Sequence, residues 1–381
     1  MKTKLIKISA SLKLTLFCLT CLLVLTFVGT LDQVNLGIYY AQKKYFQSFF
    51  VFWEPVSGIK LPIFPGGFAI GWLLIINLLT AVITQKLYVP KKIGLFLSHL
   101  GLAILIVGSG LSSYWGIESQ LIFEEGQTKQ YTEAQRHSEL VVSRSLTENE
   151  DEIVGIPDTI LSEKKVVSHP KLPFTIHIDE YFPNAQLFRR EGVGSFGEKQ
   201  KEIKGVGGRV AIKELPITVK DDELNMSTAV ITLKKDKNVL GTWLVSRALG
   251  ASQTVKVQGR SYTLKMREMR YYLPYKLTLK DFKHDRYAGT NTPKNFSSLV
   301  AIEDAEKKEF RDVLIYMNHP LRYRGKTFYQ ASFGKEDTLS VLQVVENPVW
   351  LLPYISCGLM TIGLVWHFLI MLGRFSQRRN S

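Results

Sequence analysis

The chain has 381 residues, a formal net charge of +14 and a mean hydropathy near neutral, with its apolar residues concentrated in a few long runs. Of its 48 Lys and Arg residues, 35 lie in residues 113–347 with 32 of the 34 acids, which gives that segment a net charge of +3 and the remainder +11. Because the excess positive charge is confined to the flanks of the apolar runs, it argues against a basic nucleic-acid-binding surface, and no nucleic acid is expected as a partner.

Four apolar runs each approach the roughly 20 residues that a membrane-spanning helix needs. They cover residues 12–31, 68–84, 93–111 and 349–372. The sequence therefore predicts an integral membrane protein with four transmembrane α-helices in the lipid bilayer. The basic and apolar start also resembles a cleaved signal peptide, but no small-residue cleavage site follows it, which favours a retained anchor.

The flanking cations predict the orientation of these spans. Ten of the 13 lie before or at the start of the first run, between the second and third, or after the fourth: Lys2, Lys4, Lys7, Lys13, Lys86, Lys91, Lys92, Arg374, Arg378 and Arg379. Lys and Arg are enriched on the cytoplasmic side of membrane proteins. We therefore expect a multi-pass protein of the cytoplasmic (inner) membrane, with a membrane region 1–112, an extracytoplasmic domain 113–347 and a region 348–381 that ends in a basic cytoplasmic tail.

The three cysteines, Cys18, Cys21 and Cys357, all fall in predicted spans, so the outer domain has no disulfide framework. Cys18 and Cys21 have the C-x-x-C spacing of a redox or metal site. A reactive thiolate needs an exposed position, whereas these lie inside an apolar run. The sequence favours two small packing residues one helical turn apart.

Residues 113–347 contain about ten alternating or β-branched runs, which predict an all-β, sandwich-like domain between spans three and four. Gln258-Gly259 between two such runs predicts a hairpin turn, and residues 205–208 predict a loop. The segment LPFTIHIDEYF at 172–182 is similar to LPYKLTLKDF at 273–282. This similarity predicts that the domain contains two copies of one β unit.

Charge is distributed unevenly along the predicted β domain. Residues 118–163 have a net charge of −8, whereas residues 256–294 have +7 with aromatic residues interleaved. Two interpretations of the basic stretch remain open. It could grip an anion, such as the propionates of a tetrapyrrole or an acidic protein, or it could be a solvated strand face.

Two histidines, His99 and His367, lie inside predicted spans, where an ionisable side chain is costly without a partner. Counted from the cytoplasmic ends of their spans, His99 lies roughly 9 Å deep and His367 roughly 8 Å deep. If spans three and four pack together, both imidazoles could bind the iron of one b-type haem. The alternatives are hydrogen-bonded packing residues or, for His367, a residue of the interfacial belt.

Other features of the sequence bear on whether the chain binds haem. Gly94, Gly101 and Gly108 recur every seven residues and give span three a smooth face for a helix or a ring. Outside the spans, His319 lies in NHPLRYRGKTFYQ. It is interpreted either as an outer haem or partner contact, or as part of a β-turn before a core strand.

Several segments together resemble ResB, the four-span protein of bacterial cytochrome c maturation by the ResB/CcsA route. They are VGTLDQVNLGIYYAQKKYF, PIFPGGFAIGWLLIINLLTA, KIGLFLSHLGLAILIVGSGL, LPYKLTLKDF with YAGTNTPKNFSSLVAIED, and MNHPLRYRGKTFYQASF. The resemblance implies haem delivery to apocytochrome c with a CcsA/ResC-type membrane partner. His99 matches the family's histidine in the third span, which is regarded as a ligand of haem iron, whereas His367 matches no family ligand.

The resemblance also limits what this chain is expected to do alone. No tryptophan-rich, haem-presenting segment occurs in it, so it is expected to be one component of a holocytochrome c synthase. In that role it would hold haem b at the inner leaflet and help pass it outward to apocytochrome c. The second iron ligand would then be His367 or a residue of the CcsA-type partner. The alternative is a membrane-anchored assembly scaffold that does not bind haem.

Overall fold

The computed structural model describes residues 2–56, 58–147, 150–189, 203–219, 223–236, 238–290, 293–334 and 338–379. The chain forms two compact units. A helical unit contains mainly residues 1–117 and 346–381, and a β-rich unit contains mainly residues 118–345.

Within the described residues, four helices are long and apolar enough to cross a membrane, as the sequence predicts. The helices are α1 Lys2–Ser9, α2 Leu12–Ala41, α3 Gly67–Thr84, α4 Ile93–Trp115, α5 Asp158–Glu163 and α6 Leu352–Arg379. Helices α2, α4 and α6 extend beyond the apolar runs into polar sequence. Their lengths therefore exceed what hydropathy alone indicates, because helical hydrogen bonding continues where side chains become polar.

Helix α2 changes direction near its end. Gly37 has φ 68° and ψ 167°, which interrupts the helical hydrogen bonding, and residues 38–46 follow as a second helical segment that ends in a π-helical turn. The return segment packs back on α2, since a Cβ at Gly29 would lie 3.4 Å from the Phe46 ring and 3.5 Å from the Tyr45 ring. A positive φ of this kind is strained for residues other than glycine.

A two-stranded antiparallel hairpin that was not predicted connects this segment to α3. Its strands are β1 Phe50–Val56 and β2 Ile59–Pro65. The base of the hairpin is fixed by close backbone contacts. A Cβ at Gly66 would lie 2.2 Å from the carbonyl oxygen of Ser48, and one at Gly67 would lie 2.4 Å from that of Phe46.

The β-rich unit contains strands at each of the predicted runs, together with strands that the sequence does not predict. The strands are β3 Ile117–Glu124, β4 Thr128–Ser145, β5 Asp151–Pro157, β6 Val166–Val167, β7 Thr175–Phe182, β8 Ala185–Arg189, β9 Ile203–Lys204, β10 Val210–Glu214, β11 Thr228–Lys235, β12 Asn238–Ser246, β13 Gln253–Val257, β14 Arg260–Arg286, β15 Pro293–Asp304, β16 Glu309–Tyr316, β17 Leu321–Tyr323, β18 Lys326–Gly334 and β19 Leu339–Glu346. The predicted loop at 205–208 is a 3-10 turn over Gly205–Arg209.

These strands form two large sheets and one small one. The ten-stranded sheet follows the order β16-β15-β14-β4-β3-β19-β18-β17, with β13 on β14 and β5 on β4. The five-stranded sheet follows β6-β7-β11-β12-β9, and β8 pairs with β10. Side chains of both large sheets meet in one buried cluster that includes Leu140, Ile176, Ile231 and Leu264. This packing is sandwich-like, as predicted.

A second buried cluster lies within the ten-stranded sheet and includes Leu121, Tyr275, Val300 and Phe328. The two clusters correspond to the two copies of the predicted repeat. In the first copy, alternate residues Phe174, Ile176 and Ile178 are buried in the first cluster. In the second copy, the aligned residues Tyr275, Leu277 and Leu279 are buried in the second cluster.

The strand register confirms the repeat. The β7–β11 ladder skips Asp179, and the β14–β15 ladder skips Lys280, which is the aligned residue. Each copy then continues into a hairpin with a two-residue turn, Gln258-Gly259 in one and Arg324-Gly325 in the other. All four turn residues have positive φ, as a type I′ turn requires. The duplication therefore extends beyond the segments that the sequence comparison aligns.

Candidate functional site

Helices α4 and α6 pack closely through the predicted glycine face. A Cβ at Gly94 would lie 2.6 Å from the carbonyl oxygen of Gly363 and 2.8 Å from the backbone nitrogen of His367. Farther along α4, a Cβ at Gly101 would lie 2.8 Å from the carbonyl oxygen of Ser356, whose hydroxyl donates a 2.7 Å hydrogen bond to Gly101. The smooth face that the sequence predicts therefore receives a helix.

His99 lies on a different face of α4. At about 100° per residue, it is roughly 150° around the helix from the Gly94–Gly101 face. Ile106, two turns farther along the face of His99, approaches Gly71 of α3 and packs against the core of the helical unit. His99 is thus directed toward the α3 side of the bundle and is half-buried.

The hydrogen bond of His99 determines which ring nitrogen carries the proton. Nδ1 lies 2.8 Å from the carbonyl oxygen of Leu95. Because a carbonyl oxygen only accepts, Nδ1 must be the protonated nitrogen that donates this bond. In the neutral imidazole this bond leaves the lone pair on Nε2, which is the arrangement in which histidines bind metals and haem iron.

The structure does not place His99 and His367 as the sequence predicts. His367 lies beside Gly94, which is five residues before His99 and therefore about 7.5 Å away along α4. The prediction that His99 and His367 lie at the same depth is wrong. It takes Leu372 as the cytoplasmic end of the span, whereas α6 continues to Arg379, and contacts with the glycines of α4 set the register of α6. His99 lies on one face of α4, and His367 packs against another. This packing therefore does not bring both imidazoles to one flat ligand. The role of each as a haem ligand stays a prediction.

Two polar clusters in the helical unit were not identified from the sequence. Asp32 accepts hydrogen bonds from Lys44 Nζ at 2.7 Å and from the Tyr45 hydroxyl at 2.8 Å. Asn77 is 3% exposed, and its amide nitrogen donates a 2.7 Å bond to the carbonyl oxygen of Ser9. The first cluster depends on the reversal at Gly37, which pairs residues 12 positions apart.

The cysteines lie where the packing interpretation expects them. Cys18 and Cys21 are buried in the core cluster of the helical unit, together with Leu25 and Ile70. Cys357 is exposed on α6. Burial of the first two among aliphatic side chains favours packing over thiol chemistry.

Two arginines of the basic stretch 256–294 are paired with acidic residues within the β-rich unit. Strand β14 pairs with β4, and this ladder places Arg267 opposite Glu139. Arg267 Nε donates a 2.8 Å bond to Glu139, and Arg270 Nε donates a 3.0 Å bond to Glu133. Neither interpretation offered from the sequence accounts for these two arginines. Their partners come from the acidic stretch 118–163, whose register against β14 is set by long-range strand pairing.

His319 belongs to a turn. Its ring stacks on Tyr316 with centroids 4.6 Å apart, and its backbone pairs with that of Tyr316. Asn318 in the same turn has φ 61°. The strands that follow bury Leu321 and Phe328 in the second core cluster. This geometry supports the β-turn interpretation of His319.

The hairpins β15–β16 and β17–β18 are joined by a buried carboxylate. Asp304 is fully buried, accepts a 2.7 Å bond from the Tyr323 hydroxyl and lies 2.7 Å from Arg324 Nε. Burial disfavours ionisation of Asp304, but hydrogen bonds from the Lys307 backbone, Tyr323 and Arg324 outweigh it and hold the pKa of this carboxyl below its usual range. Burial and the adjacent carboxylates raise the pKa of Tyr323 to about 12.

We expect Asp304→Asn to lower the midpoint of thermal unfolding at neutral pH, because Arg324 and Tyr323 lose their charged partner. Since the folded pKa of Asp304 is lowered, its contribution is present above the unfolded pKa of about 3.9 and is lost as pH falls through the folded pKa. The variant should therefore lose less stability than the wild type on acidification, as measured by thermal melts of the full chain. Asp312→Asn, which removes a half-exposed surface pair with Lys280, is the control and should change little. Identical acid profiles for Asp304→Asn and the wild type would contradict the prediction.

Comparison with known proteins gives matches over part of the chain. The sequence profile of the ResB-like family matches residues 238–341, which begin at β12 and end within β19. The matched segment contains the second repeat copy and the Asp304 cluster, and His99 lies outside it.

Two curated relatives are similar to parts of the chain. Protein NrfI of Wolinella succinogenes is 25% identical over 305 residues, which cover 79% of this chain and 30% of NrfI. Cytochrome c biogenesis protein CcsB of Crocosphaera subtropica is 31% identical over 80 residues, which cover 21% of this chain and 17% of CcsB. The chain therefore spans less than a third of the length of either relative.

Proposed function

We propose that this chain is a ResB-like protein and a membrane subunit of a cytochrome c maturation complex. The observation that carries the proposal is its similarity to the ResB-like family and to a protein named for cytochrome c biogenesis. Four helices of sufficient length and the Lys/Arg distribution support insertion in the inner membrane, with both termini in the cytoplasm and the β-rich unit outside.

Within this complex, His99 holds haem b as the cargo of the pathway. Its Nδ1–H bond to Leu95 supports this role, because the bond fixes the ring and leaves Nε2 for iron. His367 lies beside Gly94 on the opposite side of α4, so a CcsA/ResC-type partner is the better source of the second ligand. The β-rich unit then receives or positions apocytochrome c, and the complex as a whole is the synthase.

The alternative is an assembly scaffold that supports maturation without binding haem. In a cell that attaches haem to its c-type cytochromes by the ResB/CcsA route, removing the gene for this chain is expected to abolish covalent haem on those cytochromes. Haem staining of denatured proteins is the measurement. Re-expression of the full chain should restore the stain. Normal staining in the absence of the chain would contradict both candidate functions.

A further inference from the structure

The β1–β2 hairpin exposes an unusual amount of apolar surface. Phe50, Phe52 and Trp53 on β1 are about half exposed, as are Ile59 and Ile63 on β2. In contrast, Val51 is buried and packs in the core of the helical unit, which fixes the orientation of the hairpin at its base. An exposed apolar patch of this kind, on an element that is fixed at its base, indicates a surface that binds a protein or a membrane.

Contacts within the helical unit show which residues of α4 and α6 lie at the same height along the bundle as the base of the hairpin. Gly67, at the start of α3, approaches the backbone of Phe46, and one turn later a Cβ at Gly71 would lie 3.7 Å from the Ile106 side chain of α4. Because α3 and α4 are antiparallel, Gly67 lies level with about residue 110 of α4. Gly108 of α4 packs on Leu352, the first residue of α6.

Aromatic residues lie at the same height as the hairpin base, at the end of α4 and at the start of α6. Tyr114 and Trp115 end α4, and Trp350 and Tyr354 lie at the start of α6, all with exposed side chains. Trp and Tyr are enriched where a membrane-spanning helix meets the headgroups. The hairpin base therefore lies at the same level as an aromatic belt, on the side that faces outward in the proposed topology.

The backbone of the hairpin restricts how deep it can lie. Among the residues that the structure describes, each of its two strands pairs only with the other, which leaves outward-facing N–H and C=O groups along both edges. Such groups are not tolerated in the hydrocarbon core but are satisfied in the hydrated headgroup layer. Phe49, which precedes β1, contacts Phe68 of α3, with ring centroids 5.9 Å apart. The exposed Trp72 and Ile76 lie one and two turns farther along the same face of α3, which favours lipid as the occupant.

We propose that the β1–β2 hairpin lies in the outer headgroup interface and inserts Phe52, Trp53 and Ile63 among the lipids. Interfacial apolar groups of this kind penetrate about 5–10 Å into the headgroup and acyl boundary. The exposed ammonium of Lys60, near the hairpin turn, complements the lipid phosphates. The proposal rests on the membrane insertion contained in the proposed function.

Lipid quenching of Trp53 tests this placement. The full chain is reconstituted in phosphatidylcholine vesicles with acyl chains brominated either near the headgroup or near the chain end. The contribution of Trp53 is the fluorescence lost in Trp53→Phe, which removes an exposed side chain. We expect strong quenching of this contribution by the shallow bromine, weaker quenching by the deep bromine and little quenching by aqueous iodide.

Trp366, exposed on α6, is the matched control, read in the same way from Trp366→Phe. Quenching of Trp366 by brominated lipid with iodide quenching of Trp53 would overturn the hairpin proposal and leave insertion intact. Protection of Trp53 from both quenchers would show that protein covers the hairpin, which also overturns it. Failure of brominated lipid to quench either tryptophan would overturn insertion and the hairpin proposal together.

Discussion

Full-length protein carrying His99→Ala is expected to purify with at least about tenfold less haem per chain than the wild type, since even changes behind a metal ligand cost 10–100-fold in affinity. The loss follows from removal of the imidazole whose Nδ1 is fixed by Leu95 and whose Nε2 is left for iron. External imidazole, small enough to occupy the vacated space, should restore part of the absorption band. The measurement is the visible spectrum of matched amounts of protein.

His367→Ala is the matched control, because His367 is the other histidine of the predicted spans. Because His367 lies beside Gly94 and His99 on another face of α4, we expect the His367 variant to keep its haem. Equal loss in both variants would mean that the chain supplies both ligands after all. An unchanged spectrum in His99→Ala, with normal cytochrome c maturation, would reduce His99 to a helix residue bonded to the carbonyl oxygen of Leu95.

Gly94→Ala is expected to destabilise the helical unit by about 1–3 kcal/mol, which is the usual cost of overpacking a close contact. The added Cβ would meet backbone atoms of Gly363 and His367 at 2.6–3.1 Å, and backbone on a packed helix cannot rotate away as a long side chain can. This steric clash is relieved only if α4 moves away from α6. The measurement is the thermal unfolding midpoint of the full chain in detergent.

Gly110→Ala on the same helix is the control for this prediction. A Cβ at Gly110 meets nothing within 4 Å, so the substitution should be neutral or slightly stabilising through its better helix propensity. Equal midpoints for Gly94→Ala and Gly110→Ala would contradict the close packing of α4 on α6.

The sequence predicts those features that depend on local pattern. Alternating residues identify the strands, and Gln258-Gly259 identifies a turn whose two positive φ angles are then found. The seven-residue spacing of Gly94, Gly101 and Gly108 identifies the face on which α6 packs. Each of these signals is carried by residues that are neighbours in the chain or on one helix face.

The features that the sequence does not predict depend on register between distant segments. Pairing of Arg267 with Glu139 requires strands 128 positions apart to align, and no local pattern contains that alignment. Likewise, the depth of His367 relative to His99 depends on which turns of α4 and α6 meet. Hydropathy locates a span to within a few residues, whereas shared ligation requires a register correct to one residue.

The visible absorption spectrum of the wild-type full chain, purified with and without the proposed CcsA/ResC-type partner, decides whether this chain holds haem. We expect haem b in the purified complex, at a level that falls in His99→Ala. A haem-free complex, isolated from cells that still attach haem to their c-type cytochromes, would contradict it and leave the assembly-scaffold function in its place.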